Sequence, residues 1–107
     1  NVNYPLLESN KYYEISKAQF TKGGAIVTFC LSDKKSAYEF LNKLKIIKKS
    51  TNIQDNKSLA IAPYHTIYAE YTKEARDSYG LFEGMIRLSV GIEDIEDLVE
   101  EIKNALS

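Results

Sequence analysis

The run Met85-Ile86-Arg87-Leu88-Ser89-Val90 constrains this chain more than any other segment. It alternates with a period of two, so Ile86, Leu88 and Val90 share one face of a strand while Met85, Arg87 and Ser89 share the other. Gly91 ends the run, Asp94 offers an N-cap, and Ile95, Leu98, Val99, Ile102 and Leu106 then fall on one helical stripe. A strand with one apolar face, followed at once by such a helix, has a simple solution in which the helix lies on the sheet. The face bearing Arg87 and Ser89 is too polar for a core and is free to meet a ligand or another domain.

The remaining segments fit that frame. Residues 1–10, with Pro5 and Asn10, read as an extended lead-in, Lys11 to Ala18 as a short helix, and Gly23-Gly24 as its break. Ala25 to Leu31 is rich in β-branched and aromatic residues and reads as the first strand. Ser32 or Asp33 offers the next N-cap, after which Ala37, Phe40, Leu41 and Leu44 recur at helical spacing. Lys45 to Lys48 reads as a short strand, Ser50 to Ile53 as extended chain and Gln54 to Lys57 as a polar turn. Ser58 to Ala62 is an apolar strand stopped by Pro63, which has no N–H to give to a ladder. Thr72 caps a short helix through Tyr79, and Gly80 supplies the left-handed residue after it. The sum is an α+β domain, a roughly four-stranded, mostly antiparallel sheet with helices packed on one face.

A chain of 107 residues fits one such domain with one core. Fourteen basic residues against fifteen acidic ones leave a formal charge of -1, which gives no reason to expect nucleic acid or an anionic membrane as partner. Lys43, Lys45, Lys48 and Lys49 surround Ile46-Ile47 and read as a solvated edge. Cys30 is the only cysteine, which excludes an internal disulfide, and its apolar setting suits a small packed hydrophobe. One cysteine and one histidine are too few ligands for a zinc cluster. No apolar stretch approaches the ~20 residues that span a bilayer, and there is no signal peptide, so a cytoplasmic protein is expected. The polar start Asn1-Val2-Asn3-Tyr4-Pro5 lacks an initiating Met and suggests an excised domain.

Arg87 interrupts an otherwise apolar strand and has two readings. It is either an arginine at a solvated sheet edge, or a fixed guanidinium that meets a carboxylate through two parallel hydrogen bonds. The surrounding residues favour the second. The segment from Gly84 to Leu106, GMIRLSVGIEDIEDLVEEIKNAL, resembles the C-terminal signature of the pyridoxal-phosphate enzymes of Cys/Met metabolism. That family includes cystathionine γ-synthase, cystathionine lyases, methionine γ-lyase and O-acetylhomoserine sulfhydrylase. The resemblance extends over Thr51 to Leu59 (TNIQDNKSL), Gly23 to Phe29, and Tyr4 to Ser9, and is nearest to the sulfhydrylase branch.

The resemblance implies a C-terminal domain that packs on a larger, fold-type I pyridoxal-phosphate domain and closes one side of its active site. Arg87 then holds the substrate α-carboxylate, Asn52 assists it, and Thr66 lies near the substrate. The cofactor lysine, phosphate-binding glycines and stacking tyrosine are expected in the large domain, so these 107 residues alone are expected to hold no catalytic residue and to be inactive. The expected substrate is an amino acid such as O-acetylhomoserine, methionine or cystathionine, and the expected parent is a homotetramer. The chain departs from the family at Ala62-Pro63-Tyr64-His65, where relatives read His-Pro-Ala-Ser, and at Leu6, where glycine is usual. His65 is read as a hydrogen-bonded turn residue rather than an acid–base group. The alternative function is a non-catalytic, stand-alone ligand-binding or interaction module derived from the same family.

Overall fold

A computed structural model describes the whole chain, residues 1–107. In chain order the elements are β1 (Val2–Asn3), α1 (Tyr13–Gln19), β2 (Ile26–Cys30), α2 (Lys34–Lys43), β3 (Lys48–Lys49), β4 (Leu59–Ile61), α3 (Lys73–Ser78), β5 (Met85–Ser89) and α4 (Ile95–Leu106). A single 3-10 turn, Pro63–His65, follows β4. The strands form one five-stranded sheet in the order β1-β2-β5-β4-β3. β5 occupies the centre, antiparallel to both β2 and β4, while β3 joins β4 in parallel at the edge. Register places Thr28 and Ile61 on either side of Arg87, in one row across three strands.

One face of this sheet carries the core. Ile86 and Leu88 of β5 and Ala60 of β4 meet Ala37, Phe40 and Leu41 of α2 and Leu98 and Ala105 of α4. Phe40 is 1% exposed and packs edge-on against Phe29 at 5.4 Å between ring centroids. Burying a side chain of that size contributes about 1.5–3 kcal/mol. Both helices start where local chemistry dictates. Asp33 Oδ1 accepts from the Ser36 N–H at 2.8 Å, and Asp94 Oδ1 accepts from the N–H groups of Glu96 and Asp97. Thr72 caps α3 in the same way, through the Ala75 N–H, and Gly80 follows with φ +74°.

The structure revises four details of the sequence reading. The sheet has five strands rather than four, because the lead-in contributes Val2 and Asn3 to pair with Phe29 and Thr28. A two-residue strand is too short to carry a period that sequence could reveal. The strand expected at Lys45 to Lys48 is confined to Lys48–Lys49, since the N–H groups of Lys45, Ile46 and Ile47 all donate to the Glu101 carboxylate instead. That carboxylate also rotates the buried side of α4. Leu98, Glu101 and Ala105 are buried, whereas Ile95, Val99 and Leu106 are exposed. Lastly, Ser89 is 1% exposed, so the polar face of β5 is covered at that end rather than free.

The two short helices are peripheral. α1 buries only Ser16 and α3 buries no residue at all. No helix is long and apolar enough to cross a membrane.

Candidate functional site

The face of the sheet opposite α2 and α4 holds Arg87. β5 is hydrogen-bonded on both sides, so the arginine backbone is fixed by two neighbours. Its side chain is half-buried, and Nη2 donates to the Thr51 carbonyl at 2.8 Å. That is its one hydrogen bond to the chain, and it pairs with no carboxylate. A guanidinium carries five N–H donors in a planar fork, so most of its donor capacity faces outward. A cavity of about 410 Å³ opens on the same face, lined in part by Asn3, Thr28, Phe82 and Met85.

Thr51 belongs to the loop between β3 and β4, and that loop is held down along its length. The Gln54 N–H donates to Ser89 Oγ at 2.6 Å, which explains the burial of Ser89. Gln54 adopts φ +56°, an uncommon conformation for a residue with a side chain. The Asn56 carbonyl accepts from the Ile92 N–H at 2.9 Å. At the far end the Glu93 carboxylate accepts from both the Ser58 N–H and the Ser58 hydroxyl, each at 2.8 Å in its shorter contact. The Gly91 N–H closes the motif by donating to Ser58 Oγ at 2.8 Å. The Ser58 backbone N–H holds the Glu93 carboxyl below its ordinary value, and the serine hydroxyl adds to that effect.

The expected site residues therefore divide. Arg87 and the Asn52 loop lie together, joined through the Thr51 carbonyl next to Asn52. Asn52 is exposed and its own N–H donates to Ser50 Oγ, leaving the carboxamide toward solvent. Thr66 ends the 3-10 turn, and its hydroxyl donates to the Ala62 carbonyl at 2.8 Å, so it is engaged in shaping the turn. His65 Nε2 lies 2.8 Å from the Glu83 carbonyl, which can only accept, so the ring proton sits on Nε2. This agrees with a hydrogen-bonded turn residue. The bulky Tyr64 turns inward, 4% exposed, beneath the Arg76 guanidinium at 4.2 Å from its ring. Cys30 is half-buried, and its burial pushes the thiol up.

Sequence inspection missed the contributions of Ser58, Gln54, Ser89 and Glu93. Each acts through a contact with a residue distant in the chain, and no local pattern marks such a pair. The only signal was Gly91, whose absent side chain leaves room for the loop; a Cβ there would lie 2.2 Å from the Asn56 carbonyl oxygen.

A pyridoxal-phosphate site needs a lysine amine for the cofactor aldehyde and a cradle of phosphate donors. The neighbours of Arg87 in the sheet are Thr28 and Ile61, and no lysine stands beside it. The residues beside Arg87 in the sheet thus do not by themselves fit the cofactor.

Fold and site together define an α+β domain that presents an arginine from its central strand. The whole chain, residues 1–107, matches the profile of the Cys/Met metabolism PLP-dependent enzymes, and it belongs to that family. It is 40% identical over 111 aligned positions to the O-succinylhomoserine sulfhydrylase of Mycobacterium tuberculosis, covering 99% of this chain and 27% of that protein. It is 36% identical to the L-methionine gamma-lyase of Pseudomonas putida, again covering 98% of this chain and 27% of the relative. Among solved structures, the O-acetylhomoserine sulfhydrylase of Wolinella succinogenes superposes with a TM-score of 0.85 at 44% identity, over 100% of this chain and 28% of that one. The chain therefore spans little more than a quarter of the length of the relatives it matches.

Proposed function

We propose that this chain is the C-terminal, substrate-binding domain of a pyridoxal-phosphate-dependent sulfur amino-acid enzyme, in which Arg87 holds the substrate α-carboxylate. The observation that carries this reading is the guanidinium itself: rigidly mounted on the central strand, tied by one N–H to Thr51, and unpaired with any acid. Such a fork matches a carboxylate with two parallel, charge-assisted hydrogen bonds. In this reading Asn52, exposed beside Thr51, adds its carboxamide to the same carboxylate. Thr66 contributes less directly, by shaping the turn that follows β4.

The bound cofactor supplies the electron sink for bond cleavage in the amino-acid substrate. Arg87 supplies positioning. Fixing one end of the substrate sets the direction of its Cα–H bond, and a bound, oriented reactant replaces a random encounter. The cofactor's lysine and phosphate cradle belong to the large domain in this reading, so these residues alone are inactive. The substrates are O-acetylhomoserine or O-succinylhomoserine for a replacement reaction, and methionine or cystathionine for an elimination. In this reading the parent is a cytoplasmic homotetramer.

The test is Arg87→Ala in the full-length holoenzyme, assayed with all four substrates. Cofactor absorbance should be retained while kcat/KM falls ~100-fold or more, the scale of losing charge-assisted contacts to an oriented substrate. Arg87→Lys should recover only part, because a point charge cannot reproduce the fork. Unchanged kinetics would overturn Arg87 as the carboxylate clamp, whereas a full-length protein with no turnover at all would favour the non-catalytic binding module.

A further inference from the structure

Arg87 is oriented by a loop, and the loop is anchored by two residues that touch neither substrate nor cofactor in the reading above. The chain of contacts is continuous. Arg87 Nη2 rests on the Thr51 carbonyl at 2.8 Å. Three residues on, the Gln54 N–H is fixed by Ser89 Oγ at 2.6 Å. Ser89 lies two residues after Arg87 on the same face of β5, and it is 1% exposed. At the loop's far end the Glu93 carboxylate grips Ser58 through its N–H and its hydroxyl. Gly91 and Ile92 add backbone bonds to Ser58 and Asn56.

We propose that Ser89 and Glu93 are positioning residues, which hold the Thr51–Ser58 loop against β5 so that the Thr51 carbonyl presets the guanidinium of Arg87 for a substrate carboxylate. Two features favour a functional over a merely structural clasp. Gln54 is held at φ +56°, a conformation that costs energy for a residue with a side chain and persists only where its surroundings impose it. The segment is also exposed from Thr51 through Lys57, so no apolar burial holds it in place. What holds it is the polar clasp. An arginine left to choose among its rotamers would have to be ordered by the substrate itself, and binding would weaken accordingly.

This inference rests on the assignment of Arg87 as the carboxylate clamp, and its test separates the two. In the full-length holoenzyme, Ser89→Ala and Glu93→Gln are made singly and each in an Arg87→Ala background. Each single variant should raise KM for the amino-acid substrate ~10-fold with a smaller change in kcat, while cofactor absorbance stays intact. Glu93→Gln preserves shape and one acceptor oxygen, so it serves if Ser89→Ala fails to fold. In the Arg87→Ala background both substitutions should lose most of their effect, keeping only what they exert through Asn52 on the same loop. Equal losses in both backgrounds, or no loss in the single variants while Arg87→Ala is impaired, would overturn the positioning role alone. Wild-type kinetics for Arg87→Ala would overturn both assignments together.

Discussion

At the scale of single residues, Glu101 shows how a charge can be buried to advantage. Its carboxylate accepts three backbone N–H bonds, from Lys45, Ile46 and Ile47, at 2.6, 2.6 and 2.8 Å. Burial pushes the carboxyl up, but the three donors outweigh it and hold it below the ordinary glutamate value of 4.5. Glu93 is lowered too, by its Ser58 donors. A depressed carboxyl contributes stability that is fully present above its unfolded value and is lost as pH falls through the folded one. Denaturant midpoints should therefore be flat near neutrality and drop on acidification below about pH 4.5. Glu101→Gln should cost about 1–3 kcal/mol near pH 7, because one acceptor oxygen becomes an amide facing donors. Its deficit should shrink as pH falls through the lowered folded value, where the wild-type carboxyl is itself protonated. A gap that stays constant with pH would mean that packing, not the carboxylate, is the source. None of this was legible in the sequence, where Glu101 falls beside an apolar stripe and looks like a solvated flank.

At the scale of elements, legibility followed the range of the forces involved. α2 and α4 were readable because Asp33 and Asp94 cap within their own first turn, β2 because its β-branched and aromatic run is local, and β5 because its alternation is. β1, two residues long, depends on its partner strand and carried no pattern, and β3, equally short, was read at Lys45 to Lys48 rather than at Lys48–Lys49. The polar loop was read as a turn, but what fastens it comes from β5 and the β5–α4 connection, 33 to 36 residues further along the chain. At Gly91 the loop leaves no room for a side chain. Gly91→Ala would place a Cβ 2.2 Å from the Asn56 oxygen and 2.6 Å from Ser58 N. Backbone cannot yield as a side chain can, so the loop must lift, at a cost of about 1–3 kcal/mol. Amide exchange at Ile92, whose N–H bonds Asn56, should accelerate in that variant. Gly80→Ala is the contrast: nothing lies within 4 Å, so only the φ of +74° opposes it, at about 1 kcal/mol. Equal losses at the two glycines would argue against the close approach.

At the scale of the whole molecule, stability is unevenly spread. β2, β5 and β4 with α2 and α4 share one core, whereas α1 and α3 contribute almost nothing to it. Native-state hydrogen exchange should therefore show near-global protection in β5, which has neighbours on both sides, and rapid opening of α1 and α3. Protection of α3 comparable with β5 would contradict that division. Arg87 thus sits in the most rigid part of the fold, while the loop that aims it lies on the surface. The fold class and Arg87 were legible in the sequence because both rest on one local run; the grip on the loop was not, because it is made across the chain. That grip has a further consequence. On the loop's side it is made by the carbonyls of Thr51 and Asn56, the N–H groups of Gln54 and Ser58, and a single hydroxyl. The side chains of Asn52 and Ile53 take no part in it, while Asp55 Oδ1 accepts from the Lys57 N–H within the loop at 3.1 Å. Mutation can therefore rewrite Asn52 and Ile53 without loosening the scaffold, which makes this short stretch the natural ground on which substrate preference can drift between lineages.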